Sequence, residues 1–148
     1  MQMLEAPQLD TRLRDALRTR GHRVTPQRLV LHRALHQLGR HATVEEVAKV
    51  AAGQAPGISA PTAYAALDLL HDLGLARRVT VPGGPVLYDP RTDDHAHLAC
   101  RLCGRVVDVE AHVDPSPAIA AAAKAGARVE ASELVLEGLC GECVSAAR

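Results

Sequence analysis

The sequence predicts an α+β protein with an N-terminal winged-helix domain and a small C-terminal α/β domain. Three observations support this prediction. Segments with helical spacing of apolar residues precede a short pair of extended runs in the first half of the chain. Residues 90–94 are polar and contain a proline, which is typical of a hinge. Short strand-like runs then surround an alanine-rich segment at about residues 115–125. The predicted domains are therefore 1–89 and 95–148.

Local signals separate the first helix from the second and place the starts of the second and third helices. Gly21 interrupts the apolar pattern between the first and second helix. Thr25-Pro26 is typical of an N-cap followed by proline at the first helical position. Thr43 and Glu46 have the spacing of a capping box, which predicts that a third helix begins there. Each of these signals depends on side chains that are close in sequence.

A fourth helix and a hairpin complete the first domain. Ser59 is a predicted N-cap for residues 60–73, and the spacing of four side chains predicts an inward face: Tyr64, Leu67, Leu70 and Leu73. The extended runs 76–81 and 85–89 are joined by Pro82-Gly83-Gly84, which favours a hairpin. A helix followed directly by such a wing usually enters the major groove of DNA. A helical interaction domain is the alternative.

Positive charge is concentrated in the first half, although the formal net charge is zero. Residues 1–80 contain 11 Lys/Arg and 7 Asp/Glu, whereas residues 81–148 contain 6 and 10. Residues 12–40 contain eight arginines and one acid, Asp15. This pattern is typical of a segment that lies along phosphates, and a solvated helix face is the alternative. With neither a leader nor a membrane-length apolar run, we expect a cytoplasmic protein that binds double-stranded DNA.

The four cysteines form two CxxC pairs, Cys100/Cys103 and Cys140/Cys143. Two residues between thiolates allow both to bind one ion from a tight turn, and four thiolates form a closed tetrahedral shell that selects Zn²⁺. A closed shell leaves no position for catalysis. The 36 residues between the pairs predict a structural zinc site that joins the two ends of the second domain. A redox pair and structural disulfides are the alternatives.

A second metal site is predicted beside the first CxxC pair. His95 and His97 are two residues apart, so an extended strand places them on one side. Asp89 precedes them and Asp108 follows on the next predicted strand. Nitrogen and oxygen ligands without thiolate suit Fe²⁺, Mn²⁺, Ni²⁺ or Zn²⁺. These residues alone do not choose among the metals.

Over residues 10–145 the chain resembles the ferric uptake regulator family. The first half carries Arg23-x-Thr25-Pro26-Gln27-Arg28, His41-Ala42-Thr43 and Ile58-Ser59-x-x-Thr62-Ala63-Tyr64. The second carries Leu87-Tyr88-Asp89, Asp94-His95-x-His97-x-x-Cys100-x-x-Cys103-Gly104 and Val106-Val107-Asp108. The resemblance implies a homodimeric repressor of palindromic operators, not an enzyme. The implied DNA-binding residues are Arg23, Thr25, Gln27, Arg28, Ser59, Thr62 and Tyr64.

The pattern is most similar to the peroxide-sensing, PerR-like branch of that family. The resemblance implies a regulatory Fe²⁺ or Mn²⁺ bound by three His and two Asp: His41, Asp89, His95, His97 and Asp108. It also implies that peroxide oxidises His41 or His95 in the iron form and so ends repression. Ala63 and Ala65 depart from the family's recognition helix, so an unusual operator is expected. The alternatives are an iron, nickel or zinc uptake repressor and, from another class, a zinc-dependent hydrolase.

Overall fold

The computed structural model describes residues 4–148 as two compact units, which meet in sequence between Thr92 and Asp93. The first unit contains four helices and a two-stranded antiparallel sheet: α1 (Ala6–Thr19), α2 (Pro26–Leu38), α3 (Val44–Ala51), α4 (Ala60–Asp72), β1 (Arg77–Thr80) and β2 (Val86–Asp89). Helices followed by a hairpin form the winged helix that the sequence predicts.

The predicted helix starts are confirmed, and local hydrogen bonds explain them. The Thr25 hydroxyl accepts from the Arg28 backbone N–H at the start of α2. At the start of α3, the Thr43 backbone N–H donates to Glu46 at 2.8 Å, and the Glu46 N–H donates to the Thr43 hydroxyl at 3.2 Å. Ser59 caps α4 in the same way as Thr25 caps α2. These bonds satisfy N–H groups that have no partner inside a helix.

The core of the first unit lies where the four helices meet. Its largest fully buried apolar side chains come from every helix and from β2: Leu13, Leu17, Leu31, Leu35, Val44, Val47, Leu67, Leu70 and Tyr88. Full burial of one such leucine stabilises the fold by about 2 kcal/mol. This core holds the four helices of the first unit together.

The predicted inward face of α4 is wrong at its first residue. Tyr64 is 42% exposed, and Leu73 is only half-buried. The buried stripe instead begins at Ala63 and continues through Ala66, Leu67 and Leu70. Residues three or four apart share a helix face, so a stripe that contains Ala63 turns the neighbouring Tyr64 toward solvent.

The second unit contains a three-stranded sheet and two helices: β3 (Ala96–Cys100), β4 (Val106–Val109), α5 (Ser116–Lys124), β5 (Val135–Gly138) and α6 (Gly141–Ala146). β3 lies in the middle, antiparallel to β4 and parallel to β5. The strand predicted over residues 128–137 is much shorter than expected. The ladder pairs His97 with Val135, and β3 begins only one residue earlier, so the residues before β5 have no facing strand.

The second unit has little apolar core of its own. Among its described residues, the buried apolar side chains are Ala96, Ala99, Cys100 and Cys140. Every residue of α5 is at least partly exposed, and the sheet also exposes large apolar side chains, including Leu136 at 44%. A unit of this size needs a metal or a partner chain to stabilise it. Within residues 4–148, no helix has the length and hydropathy of a membrane span.

Candidate metal centres and DNA-binding surface

The second unit brings all four cysteines together. Their sulfur atoms lie within 4.8 Å of one another, and all four are free thiols. The Sγ atoms of Cys103 and Cys140 are 3.8 Å apart. A tetrahedron with Zn–S bonds of ~2.3 Å has S–S edges of about 3.8 Å, so this spacing fits a zinc ion. The donor chemistry fits as well, because thiolates are ligands that Zn²⁺ prefers.

The parallel pairing of β3 and β5 explains this cluster. Cys100 ends β3 opposite Gly138, and the Arg101 N–H donates to the Gly138 carbonyl at 2.9 Å. The first CxxC turn therefore begins next to the end of β5, where the second CxxC segment starts. Gly104 has a φ of 72°, a conformation that side chains disfavour, and it completes the first turn. The second pair lies at the start of α6, with Cys140 as its N-cap.

The cluster favours thiolate at one position. Backbone N–H groups of Cys103 and Cys140 donate to the sulfur of Cys100 and lower the pKa of its thiol to about 6. Hydrogen bonding to Cys140 raises the pKa of the Cys143 thiol to about 12, so this thiol holds its proton more strongly than the Cys100 thiol does. Outside the cluster, Arg105 and Glu142 form an ion pair of 2.8 Å between the two CxxC segments.

In the first unit, His41 and Asp89 form a buried pair. The Nε2 atom of His41 lies 3.1 Å from the Asp89 carboxylate, and the two side chains are only 8% and 4% exposed. His41 precedes α3 and Asp89 ends β2. An isolated β-bridge between Ala42 and Tyr88 brings these two chain segments together. One imidazole and one carboxylate are thus placed where each could contribute a donor to a divalent cation.

In the second unit, His95 and His97 lie beside Asp108. The two imidazole rings are 4.5 Å apart, and His95 Nε2 is 3.4 Å from the Asp108 carboxylate. The His95 Nδ1 atom lies 2.8 Å from the Asp93 carbonyl, to which a protonated Nδ1 donates. That bond leaves the Nε2 lone pair for a metal, an arrangement that metal-binding histidines commonly show. The residues therefore suit a hard or borderline cation.

Sequence reasoning missed Glu133 in this group. Its carboxylate lies 3.3 Å from Nδ1 of the fully buried His97. Glu133 stands two residues before β5, inside a run that was predicted to be strand. No motif or spacing marks it, because its approach to His97 depends on the pairing of β3 with β5.

The predicted DNA-binding residues lie at the N-terminal ends of α2 and α4. Four of them line a cavity of about 340 Å³ together with Ala65 and Ala66: Thr25, Gln27, Arg28 and Thr62. Arg28 donates to the Arg23 carbonyl, and Ser59 bonds to Thr62 at 2.9 Å. Ala63 is fully buried, so its small size affects the core and not the surface. Ala65 is exposed at the cavity, and its small side chain fills little of that space.

Tyr64, like Ala65, is exposed on α4. Its hydroxyl lies 3.3 Å from the carboxylate of Glu45 on α3, a contact that the sequence did not indicate. The charge of Glu45 raises the pKa of the Tyr64 hydroxyl, with smaller contributions from burial and from the hydrogen bond. The hydroxyl is therefore a neutral hydrogen-bonding group at ordinary pH.

A winged helix followed by a small α/β unit with a four-thiol cluster is typical of a DNA-binding class of protein, and the thiols form a candidate metal centre. Residues 19–136 match the ferric uptake regulator family, and the chain belongs to that family. It is 33% identical to ferric uptake regulation protein 1 of Mycolicibacterium fortuitum over 120 residues, 80% of this chain and 74% of that protein.

Two further relatives extend the comparison. The peroxide operon regulator of Bacillus subtilis strain 168 is 31% identical over 129 residues, which cover 87% of this chain and 89% of that protein. The crystal structure of the Vibrio cholerae ferric uptake regulator superposes with a TM-score of 0.63 at 29% identity, covering 88% of this chain and 98% of that one.

Proposed function

We propose that this protein is a metal-dependent transcriptional repressor that binds palindromic operator DNA as a homodimer and loses DNA affinity when peroxide oxidises its Fe²⁺-bound regulatory site. The observation that carries the proposal is the set of nitrogen and oxygen donors without thiolate: His41 with Asp89 in the first unit, and His95 and His97 with the more exposed Asp108 in the second. The similarity to a peroxide operon regulator supports the same reading.

The two groups of donors suit different ions. The four cysteines would bind one structural Zn²⁺, which would compensate for the small core of the second unit. The imidazoles and carboxylates would bind Fe²⁺ or Mn²⁺. When bound, Fe²⁺ supplies the electrons that reduce peroxide, whereas Mn²⁺ is a poor reductant. His41 and His95 are the side chains that we expect to gain oxygen.

The DNA-binding role rests on the first unit, which we propose to be a domain covering residues 1–89. The exposed and half-buried residues at the N-terminal ends of α2 and α4 provide hydroxyl, amide and guanidinium donors on one surface. Arg23, Gln27 and Arg28 are suited to phosphates and base edges. The hydroxyls of Ser59, Thr62 and Tyr64 complete this surface. Because a repressor acts on DNA, we propose that the protein is cytoplasmic.

We further propose that the second unit, residues 95–148 after a hinge at 90–94, forms the homodimer. The apolar side chains that it exposes support this role: Val107, Val113, Ile119, Val129, Leu134, Leu136 and Val144. An exposed apolar surface of this kind marks a protein contact. In a two-fold dimer, each of the two α4 helices would contact one half of a palindromic DNA site.

The test is a comparison of metals and oxidant in one DNA-binding experiment. The 148-residue chain, with zinc bound, is loaded with Fe²⁺ or Mn²⁺ and mixed with a DNA duplex that the Mn²⁺ form has selected from random sequences. Mild peroxide should abolish binding of the iron form and spare the manganese form. Peptide mass spectrometry should find one added oxygen at His41 or His95. His22 and His112, both exposed, are internal controls and should stay unmodified.

Three results would contradict this proposal in different ways. If the iron form still binds after peroxide with unmodified histidines, a metal-uptake repressor of the same family becomes the better proposal. If both metal forms lose binding equally, with zinc release and disulfide formation, the cysteines are the oxidised groups. If neither metal changes DNA affinity at all, the proposed metal dependence is wrong.

A further inference from the structure

Tyr88 lies between the two metal-ligand candidates of the first unit. It directly precedes Asp89, and its backbone pairs with Ala42, which directly follows His41. Two hydrogen bonds form this bridge, from the Tyr88 N–H to the Ala42 carbonyl at 2.8 Å and back from the Ala42 N–H at 3.0 Å. The backbone segments that carry His41 and Asp89 are therefore held together at Tyr88.

The side chain of Tyr88 connects this bridge to α4. Successive residues of a strand point to opposite faces, so Tyr88 and Asp89 project in opposite directions. The Tyr88 ring is fully buried in the core, and its hydroxyl donates to Asp68 Oδ1 at 2.6 Å. Asp68 belongs to α4, and the same oxygen accepts from Arg78 of β1 at 3.2 Å. One carboxylate therefore joins α4 to both strands of the hairpin.

The bond from Tyr88 to Asp68 has the features of a strong one. It is short and its acceptor is charged, and such bonds are about twice as strong as neutral ones.

We infer that Tyr88 and Asp68 form a positioning link through which metal bound at His41 and Asp89 sets the orientation of α4 and the hairpin for DNA binding. The inference rests on the proposed function and adds a path for its regulation within the first unit. An ion that fixes His41 and Asp89 also fixes the bridge between their neighbours, and with it the buried ring of Tyr88. Asp68 then holds α4 against the hairpin. Metal and DNA affinities become coupled, each raising the other by the same factor.

Replacing Tyr88 by phenylalanine tests the hydrogen bond to Asp68 without changing the packing of the core. The Tyr88→Phe side chain keeps the buried ring and removes only the hydroxyl. Asp68 is 46% exposed, so solvent can hydrate its carboxylate after the bond is lost. The Asp68→Ala variant removes the acceptor instead. Asp72→Asn is the matched control, because Asp72 is an exposed acid one turn later on α4.

The experiment measures the coupling between Mn²⁺ and DNA. Fluorescence anisotropy gives the affinity of the zinc-containing full chain for the selected duplex with and without Mn²⁺, and the ratio is the coupling factor. Calorimetry gives Mn²⁺ affinity without DNA, and thermal unfolding checks the fold.

We expect Tyr88→Phe and Asp68→Ala each to lower the coupling factor by about tenfold, the order expected for one hydrogen bond to a charged acceptor. The double variant should fall no further, because both changes break one link. Asp72→Asn should match the original protein.

Three outcomes would overturn the inference. Tyr88→Phe could keep the full coupling factor, which would mean that the hydroxyl transmits nothing. It could instead weaken DNA binding equally with and without Mn²⁺, which would assign it a purely structural role. Additive losses in the double variant would mean that the two residues act separately. A failure of the proposed function is distinguishable, since Mn²⁺ would then have no effect on DNA binding by the original protein.

Discussion

Acid should destabilise this protein through His32, a histidine buried in the core of the first unit. His32 lies on α2 with no exposed surface, and its ring packs edge-on against His36 at 4.9 Å. Burial lowers its pKa from 6.5 to about 3, and the nearby charges of His36 and Arg12 contribute. The Leu9 backbone favours the proton but is outweighed. The folded protein therefore holds His32 neutral under conditions in which the unfolded chain protonates it.

The sign and size of the effect follow from proton linkage. The folded-state pKa is lower than the unfolded value, so the contribution to stability is fully present above pH 6.5 and is lost as the pH falls toward about 3. Each pH unit within that range costs about 1.4 kcal/mol. At about pH 5 the loss is about 2 kcal/mol, a large part of a total stability of about 5–15 kcal/mol.

Urea unfolding of the full chain at about pH 7.5 and about pH 5 tests this magnitude. His32→Leu removes the titrating group and keeps an apolar side chain in the core. The original protein should lose about 2 kcal/mol more than His32→Leu over this range. His22→Gln, a change at an exposed histidine, should behave like the original protein. Zinc loss in acid affects all three proteins, so the difference isolates His32. Equal losses in the original protein and His32→Leu would refute the reasoning.

Three further predictions concern the zinc site, a helix cap and DNA affinity. We expect one zinc per chain in the original protein, and Cys143→Ser should lose it, as measured by elemental analysis. The same variant should no longer form a stable dimer in sedimentation experiments. Freshly purified original protein without zinc would contradict the proposed zinc site. Thr43→Ala should lower the free energy of unfolding by about 1 kcal/mol, because it removes the cap of α3, and an unchanged urea midpoint would contradict this. Raising salt from about 50 to about 200 mM should weaken operator binding on the order of a thousandfold if about six phosphates are contacted, whereas a salt-independent affinity would exclude that surface.

The sequence by itself determined the features that depend on residues close along the chain. Thr25, Thr43 and Ser59 mark the starts of three helices because an N-cap bonds to a backbone N–H only two or three residues later. The CxxC pairs indicate a metal centre for the same reason, since two thiolates separated by one tight turn can share an ion. These interactions are local, so their pattern is visible in the residue order.

Tertiary structure decided the features that depend on packing between distant segments. The exposure of Tyr64 follows from which stripe of α4 meets the core, and the short β5 follows from the length of β3. The bond from Tyr88 to Asp68 joins residues 20 positions apart on different elements. The approach of Glu133 to His97 likewise requires parallel strand pairing. No spacing rule encodes such contacts, because each requires the folded core to bring its two partners together.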